Sequence, residues 1–227
     1  HNIDLSGVAG TGTRNYECDS APTLVDYDYD GDIDLLVSGY SGRILYFENT
    51  GSANVPVYTK KTPNPMSGID CFLHAQATFV DFDADGDYDV WCGNIAGNLQ
   101  YYENTGTSTN PIYSNIPNPN NPMKDVDKSK IGSYSTPFLL DFDNDLDLDF
   151  FVGNENGDVN YFENTGSASN PVFTERTGEQ NPLFAVKISS KHATPFFVDF
   201  DGDGDIDGKS ILVTLTNKLT GTLTERH

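Results

Sequence analysis

The chain has 227 residues, 37% of them hydrophobic, and a formal net charge of −21 from 13 basic and 34 acidic residues. This length suits one domain with a real core, and 14 Phe with 12 Tyr argue against an acidic disordered tail. The charge repels phosphate backbones and anionic headgroups, so nucleic-acid partners and direct membrane insertion are disfavoured. The start at His1, with no charged-then-apolar leader, indicates a processed chain or an excerpt.

One unit recurs along the chain. Aligned on Asp26, Asp81 and Asp141, each copy has a Gly 16, an Asn 23 and a Pro 30 positions later. Length varies only between that Pro and the next Asp-rich stretch, which is typical of stacked supersecondary modules. The recurring residues are Gly42, Gly97, Gly157, Asn49, Asn104, Asn164, Pro56, Pro111 and Pro171.

Each unit contains four short apolar runs separated by turn residues, which predicts four β-strands. We therefore expect an all-β fold of β-propeller-type blades, each with four antiparallel strands, in three full repeats plus a partial fourth. Pairs such as Tyr101-Tyr102 should place one ring on each face of the sheet. The predicted single repeat domain, 1–227, divides into 1–20 (an inter-blade segment or closing strand), blades at 21–76, 77–135 and 136–193, and a partial or aberrant blade at 194–227.

Four Asp-rich loops are the candidate metal sites. Carboxylates at loop positions 1, 3 and 5 converge when the chain curls, Gly at position 6 allows the bend, and position 7 turns its carbonyl to the ion. Position 9 supplies a further carboxylate. Hard oxygen ligands in this number favour Ca²⁺, about one per loop and up to four in all. The predicted ligands are Asp26, Asp28, Asp30, Asp32, Asp34, Asp81, Asp83, Asp85, Asp87, Asp89, Asp141, Asp143, Asp145, Asp147, Asp149, Asp199, Asp201, Asp203, Asp205 and Asp207.

Two alternatives to this interpretation are weaker. An EF-hand needs a Glu at position 12, where these loops have Val37, Cys92, Val152 and Ser210, and it needs helical flanks. Solvated acidic turns would leave five carboxylates in nine residues repelling one another. The third loop should bind most weakly, because Leu146 replaces the bend glycine.

The Asp-x-Asp-x-Asp-Gly-x-x-Asp loop, with its lead-ins Ala21-Pro22, Thr136-Pro137 and Thr194-Pro195, resembles the FG-GAP/VCBS repeat over residues 21 to about 207. Such repeats form calcium-binding propellers in integrin α-subunit heads and secreted proteins. The resemblance implies calcium ligands at positions 1, 3, 5, 7 (backbone oxygen) and 9, and extracellular adhesion or recognition. The chain departs from the family pattern in three ways: Leu146 replaces a glycine, the fourth unit is irregular, and there are too few blades to close the usual ring.

We expect a secreted or cell-surface module for adhesion, recognition or assembly, in which calcium is structural and which is not an enzyme. The alternatives are a glycan-binding propeller using Tyr40, Asn94 and Asn154, and a part of a polysaccharide-processing enzyme. Catalysis is disfavoured because the four His residues share no register and standard nucleophile and metalloprotease motifs are absent from the sequence.

The expected partners are a protein or glycan ligand, further blades in a longer chain, or other copies in a ring or filament, so we expect no self-contained closed propeller. The long connection 115–135, with its Lys and Asp residues, is predicted to be a solvated loop. Cys92 replaces Val37 and Val152 of the sister repeats and is predicted to be a small buried residue. A Cys18–Cys71 disulfide is one option that the sequence leaves open.

Overall fold

The computed structural model describes residues 20–117, 119–186 and 192–197. In this part of the chain, twelve strands form three four-stranded antiparallel sheets, each a simple meander. Sheet 1 contains β1 (Ala21–Val25), β2 (Asp34–Ser38), β3 (Leu45–Asn49) and β4 (Tyr58–Lys60). Sheet 2 contains β5 (Gln76–Val80), β6 (Asp89–Gly93), β7 (Leu99–Asn104) and β8 (Tyr113–Ile116). Sheet 3 contains β9 (Thr136–Leu140), β10 (Asp149–Gly153), β11 (Val159–Asn164) and β12 (Phe173–Arg176).

Helices are short in the described ranges. They are a 3₁₀ turn at Pro65–Gly68, the α-helix α1 at Lys128–Ile131 and a 3₁₀ turn at Gly178–Gln180. None of these helices is long and apolar enough to span a membrane. The all-β prediction of four-stranded antiparallel units is confirmed, but the three sheets do not close into a ring within the described residues. The predicted segments 1–20 and 194–227 lie outside the described residues, except for Ser20 and positions 194–197.

The sheets pack face to face through two-sided central strands. All five residues of β6 and all five of β10 are buried. Tyr102 lies in a core cluster with residues of sheet 1, whereas Tyr101 lies in a cluster with residues of sheet 3. The predicted division of each aromatic pair between the two sheet faces is therefore confirmed.

First strands of neighbouring sheets meet along a common seam. The hydroxyl of Thr23 donates to the carbonyl of Ala77 at 3.0 Å, and Thr78 donates to Pro137 at 2.6 Å. At Gly93, a Cβ atom would lie 2.0 Å from the carbonyl oxygen of Ser135, a distance that no side chain tolerates. A glycine at the end of β6 thus sets how closely sheet 3 approaches sheet 2.

The connections between sheets carry an anchor that the sequence analysis missed. Asn64, Asn121 and Asn181 each donate a side-chain amide hydrogen to the first part of the third strand of their sheet, at 2.8, 3.3 and 2.9 Å. Each is followed by Pro, and its side-chain oxygen accepts the N–H two residues later. The recurring Asn-Pro pair was the sequence signal for this anchor.

A disulfide joins Cys71 to Cys92, with their Cα atoms 5.5 Å apart. Cys92 is fully buried, as predicted, but it is not a free thiol. The Cys18–Cys71 option is therefore wrong, because Cys71 already has a partner. The sequence does not indicate this pair, because the pairing depends on the segment before β5 passing close to β6 in the folded chain.

Candidate metal sites

The three described Asp loops, 26–34, 81–89 and 141–149, each gather three carboxylates at one point. In every loop, ligand atoms of the Asp residues at positions 1, 3 and 5 lie within 4.8 Å of one another. Two oxygens that bind one Ca²⁺ at about 2.3–2.6 Å lie at most about 5 Å apart, so the spacing fits a single ion. The three groups are Asp26, Asp28 and Asp30; Asp81, Asp83 and Asp85; and Asp141, Asp143 and Asp145.

Left-handed residues produce the curl. Position 6 has φ of 93° at Gly31 and 94° at Gly86, and Leu146 adopts 73° at the same place. The prediction that Leu146 takes the glycine conformation is confirmed, and its side chain is 86% exposed. Position 4 is also left-handed, with φ between 60° and 64° at Tyr29, Ala84 and Asn144, which the sequence did not indicate because these residue types differ.

Backbone hydrogen bonds hold the first carboxylate in place. The position-6 N–H donates to the position-1 carboxylate at 3.1 Å in all three loops, from Gly31 to Asp26, from Gly86 to Asp81 and from Leu146 to Asp141. The position-7 N–H donates to the position-5 carboxylate at 2.9 to 3.1 Å. Loop 3 therefore has the geometry of the others despite Leu146.

Several carboxylate oxygens are buried with no hydrogen-bond partner among the described residues. They are Oδ1 of Asp26, Asp28, Asp87 and Asp147. Leaving such an acceptor unpaired costs about 1–3 kcal/mol or more for a charged group. A cation in loop 1 would satisfy the oxygens of Asp26 and Asp28, so the chemistry of that loop fits a hard divalent ion. Asp87 and Asp147, at position 7, lie outside the groups of converging carboxylates.

Position 9 has a second role that sequence did not reveal. Asp34, Asp89 and Asp149 are 1% exposed, and each accepts the backbone N–H of the Asn that lies 15 residues later, at 2.7 Å. The other oxygen accepts a tyrosine hydroxyl at 2.8 to 3.0 Å. These carboxylates tie the Asp loop to the turn after the third strand. The structure does not group them with the converging carboxylates at positions 1, 3 and 5. The tyrosines, Tyr46, Tyr101 and Tyr161, recur 20 positions after the first Asp.

Burial and crowding disfavour the charged carboxylates in the absence of an ion. Burial, followed by the neighbouring carboxylates, raises the pKa of Asp28, Asp83 and Asp143. Burial raises the pKa of Asp89 to about 7 despite the hydrogen bonds that it accepts. The same cause raises the pKa of Asp147 to about 6. A divalent ion would oppose these shifts.

Comparison with known families bears on these loops directly. Residues 141–207 match the family model of the FG-GAP-like repeat. The matched FG-GAP-like segment begins at Asp141, the first residue of loop 3, and ends at Asp207, the last predicted ligand of the fourth loop. No curated protein matches the chain. The fourth-loop ligands Asp199, Asp201, Asp203, Asp205 and Asp207 lie outside the described residues.

Proposed function

We propose that the chain is a calcium-binding, propeller-type module that serves extracellular adhesion or recognition, with calcium in a structural role. The convergence of three carboxylates within 4.8 Å in each described loop is the observation that supports it most directly. Each ion would join the hairpin of the first two strands of its sheet.

The ligand chemistry favours calcium over its competitors. The loops offer carboxylates at positions 1, 3 and 5, a backbone carbonyl at position 7 and a carboxylate at position 9, all hard oxygen donors. No Cys or His lies within the three described loops, which disfavours zinc and copper. Magnesium requires a strict octahedron and keeps several waters, whereas calcium tolerates the irregular oxygen sets of loops.

Calcium bound to these loops would stabilise the folded state of the chain. An ion that binds the folded loop and not the unfolded chain stabilises the fold in proportion to its occupancy. The position-9 bonds, such as Asp89 to Asn104, would transmit this effect from the first hairpin to the third strand. The repeated seam contacts between sheets 1, 2 and 3 support a propeller-like stack.

Two features favour an extracellular location. The Cys71–Cys92 disulfide suits an oxidising compartment. Modular calcium sites with dissociation constants of about 10⁻⁴ to 10⁻³ M are filled outside cells, where calcium is millimolar.

The test is calcium titration followed by calorimetry and thermal unfolding. We expect saturable binding at millimolar calcium or below, a higher melting temperature with calcium, and a weaker effect of magnesium. Asp83→Asn should weaken binding at loop 2, whereas Glu179→Gln, in the exposed 3₁₀ turn after sheet 3, should not. An unchanged melting temperature between saturating calcium and chelator would defeat the proposal.

A further inference from the structure

A cavity of about 220 Å³ lies on sheet 2, at the end opposite its Asp loop. Its walls come from the start of β7, the end of β8, and the two connections that flank the sheet. Asn104, at the far end of β7, marks the Asp-loop end through its bond to Asp89. Among the described residues, no candidate metal ligand lines this cavity, although Lys124 also lines the neighbouring pocket that contains Asp83.

The charge of this cavity is opposite to that of the chain. Its described lining contains Lys124 and Lys128 and no carboxylate, although the chain has 34 acidic residues. Lys128 donates to the side-chain oxygen of Asn98 at 3.0 Å, and neither lysine forms an ion pair with a described residue. The nearby acid Asp127 is engaged, since its carboxylate accepts the N–H of Ser129.

The backbone of Phe72, at the cavity wall, is left-handed and packs closely against Gly42, where a Cβ atom would lie 2.4 Å from the Phe72 carbonyl oxygen. Its φ is 60°, and the corresponding residue before β9 is Gly132, with φ of 79°. A left-handed non-glycine residue costs about 1–2 kcal/mol, yet the Phe72 side chain is 57% exposed. Its N–H donates to Asp70 at 3.0 Å, and the disulfide begins at the adjacent Cys71. Phe72 therefore adds a partly exposed aromatic side chain to the cavity wall.

The remaining lining provides hydrogen-bonding groups. Asn98 and Asn115 line the cavity beside the apolar Leu99 and Ile116. Gln100 also lines it, but its amide is hydrogen-bonded to Asp70 and Asn94. Amides pair with hydroxyls, lysines pair with a carboxylate, and an aromatic face packs against the C–H face of a sugar ring.

We infer that this cavity binds a carboxylate-bearing sugar, a uronate-type pyranose, with Lys124 and Lys128 on the carboxylate and Phe72 against the ring. The connection 115–135 is then part of a binding site and more than a solvated loop. The inference goes beyond the proposed calcium role, because none of the lining residues is a candidate calcium ligand. Sheet 3 has Asp158 at the position of Asn98, so the same site is not repeated there.

The test is calorimetric titration of the full chain with D-glucuronate, and with D-glucose as the neutral match. We expect one glucuronate site and at least about tenfold weaker binding of glucose, since hydrogen bonds to charged groups contribute more than neutral ones. Lys128→Gln should weaken glucuronate binding about tenfold. Lys130→Gln is the matched control, because that lysine pairs with Glu175 at 3.6 Å and does not line the cavity.

Phe72→Gly separates binding from folding. The variant should abolish glucuronate binding while leaving the melting temperature unchanged or higher, because glycine relieves the left-handed strain. Ile112→Ala, another exposed apolar side chain, should change neither. Equal binding of glucose and glucuronate, unchanged binding in Lys128→Gln, or tighter binding of an acetylated peptide carboxylate would overturn the inference. Titrations in calcium and in chelator, with melting temperatures recorded in parallel, distinguish a failure here from a failure of the calcium proposal.

Discussion

The carboxylate of Asp89 accepts the backbone N–H of Asn104 at 2.7 Å, and the pairs Asp34–Asn49 and Asp149–Asn164 repeat this bond at the same distance. The bond spans 15 residues and joins the start of the second strand to the end of the third. The Asn side chain in turn accepts two N–H groups from the turn that follows, as Asn104 does from Gly106 and Ile112. One buried aspartate thus links the first and third hairpins of its sheet.

Removing the tyrosine that supports this aspartate should destabilise the sheet. In Tyr101→Phe, the Oδ2 atom of Asp89 loses a hydroxyl donor at 2.8 Å and keeps only the weaker bond from Phe82 N–H at 3.3 Å. We expect a loss of about 1–2 kcal/mol in the free energy of unfolding, measured by urea denaturation in calcium. Tyr161→Phe, which removes the equivalent hydroxyl in sheet 3, should lose a similar amount. Wild-type stability in both variants would mean that the phenols contribute only packing.

Replacing Leu146 with Gly should strengthen loop 3. The residue has φ of 73° and is 86% exposed, so glycine removes backbone strain and loses almost no packing. The relieved strain is about 1–2 kcal/mol, and the freer unfolded chain costs about 0.4–1 kcal/mol, so the net gain in stability lies between about zero and about 1.6 kcal/mol. Calorimetry should also show tighter calcium binding at this loop.

The reverse substitution is the matched control. At Gly86, a Cβ atom would meet no heavy atom within 4 Å, so Gly86→Leu adds strain without a clash and should weaken loop 2. If both substitutions moved calcium affinity in the same direction, the backbone conformation at position 6 would not be the controlling factor.

Sequence predicted what depends on local spacing. The meeting of Asp26, Asp28 and Asp30 follows from alternate positions on a curled loop, and the strands follow from short apolar runs between turns. The Asn-Pro anchor is also present in the sequence, at Asn64 and Asn121. It lies in connections whose lengths differ between repeats, so it recurs at no fixed spacing from the Asp loops. The structural role of Asp89 could not be predicted, because an aspartate that accepts backbone N–H bonds looks the same in sequence as an aspartate that binds an ion.

What remained unpredictable depends on contacts through space. The pairing of Cys71 with Cys92 requires the lead-in to β5 to pass over β6, which no spacing indicates. The conformation of Phe72 was equally hidden, since aromatic residues rarely adopt positive φ. Cys71 and Phe72 both lie in the connection before β5, where the repeat itself varies in length.

Breaking the disulfide should destabilise sheet 2. The double variant Cys71→Ala, Cys92→Val keeps the apolar character that Val37 and Val152 have at the matching position. Because the bridge spans a sequence separation of 21, its loss should cost about 3 kcal/mol in the free energy of unfolding. Peptide mapping without reduction should recover Cys71 linked to Cys92. Recovery of a Cys18–Cys71 peptide would contradict the structure.

The last prediction concerns pH and calcium together. Burial raises the pKa of Asp89 to about 7 and that of Asp149 to about 6, both above the ordinary value of an aspartate. The folded state without metal therefore holds these protons more tightly than the unfolded state does. Their contribution to stability is full near pH 4 and is lost as pH rises towards 7.

In calcium-free buffer, the melting temperature should accordingly fall between pH 5 and pH 8. With millimolar calcium it should rise over the same range, because the ion binds the ionised carboxylates and protons compete with it. Asp149→Asn should flatten the calcium-free slope, since asparagine does not titrate and its carbonyl can still accept the N–H of Asn164. A melting temperature that rises with pH equally in both buffers would show that these buried aspartates are already ionised without a metal.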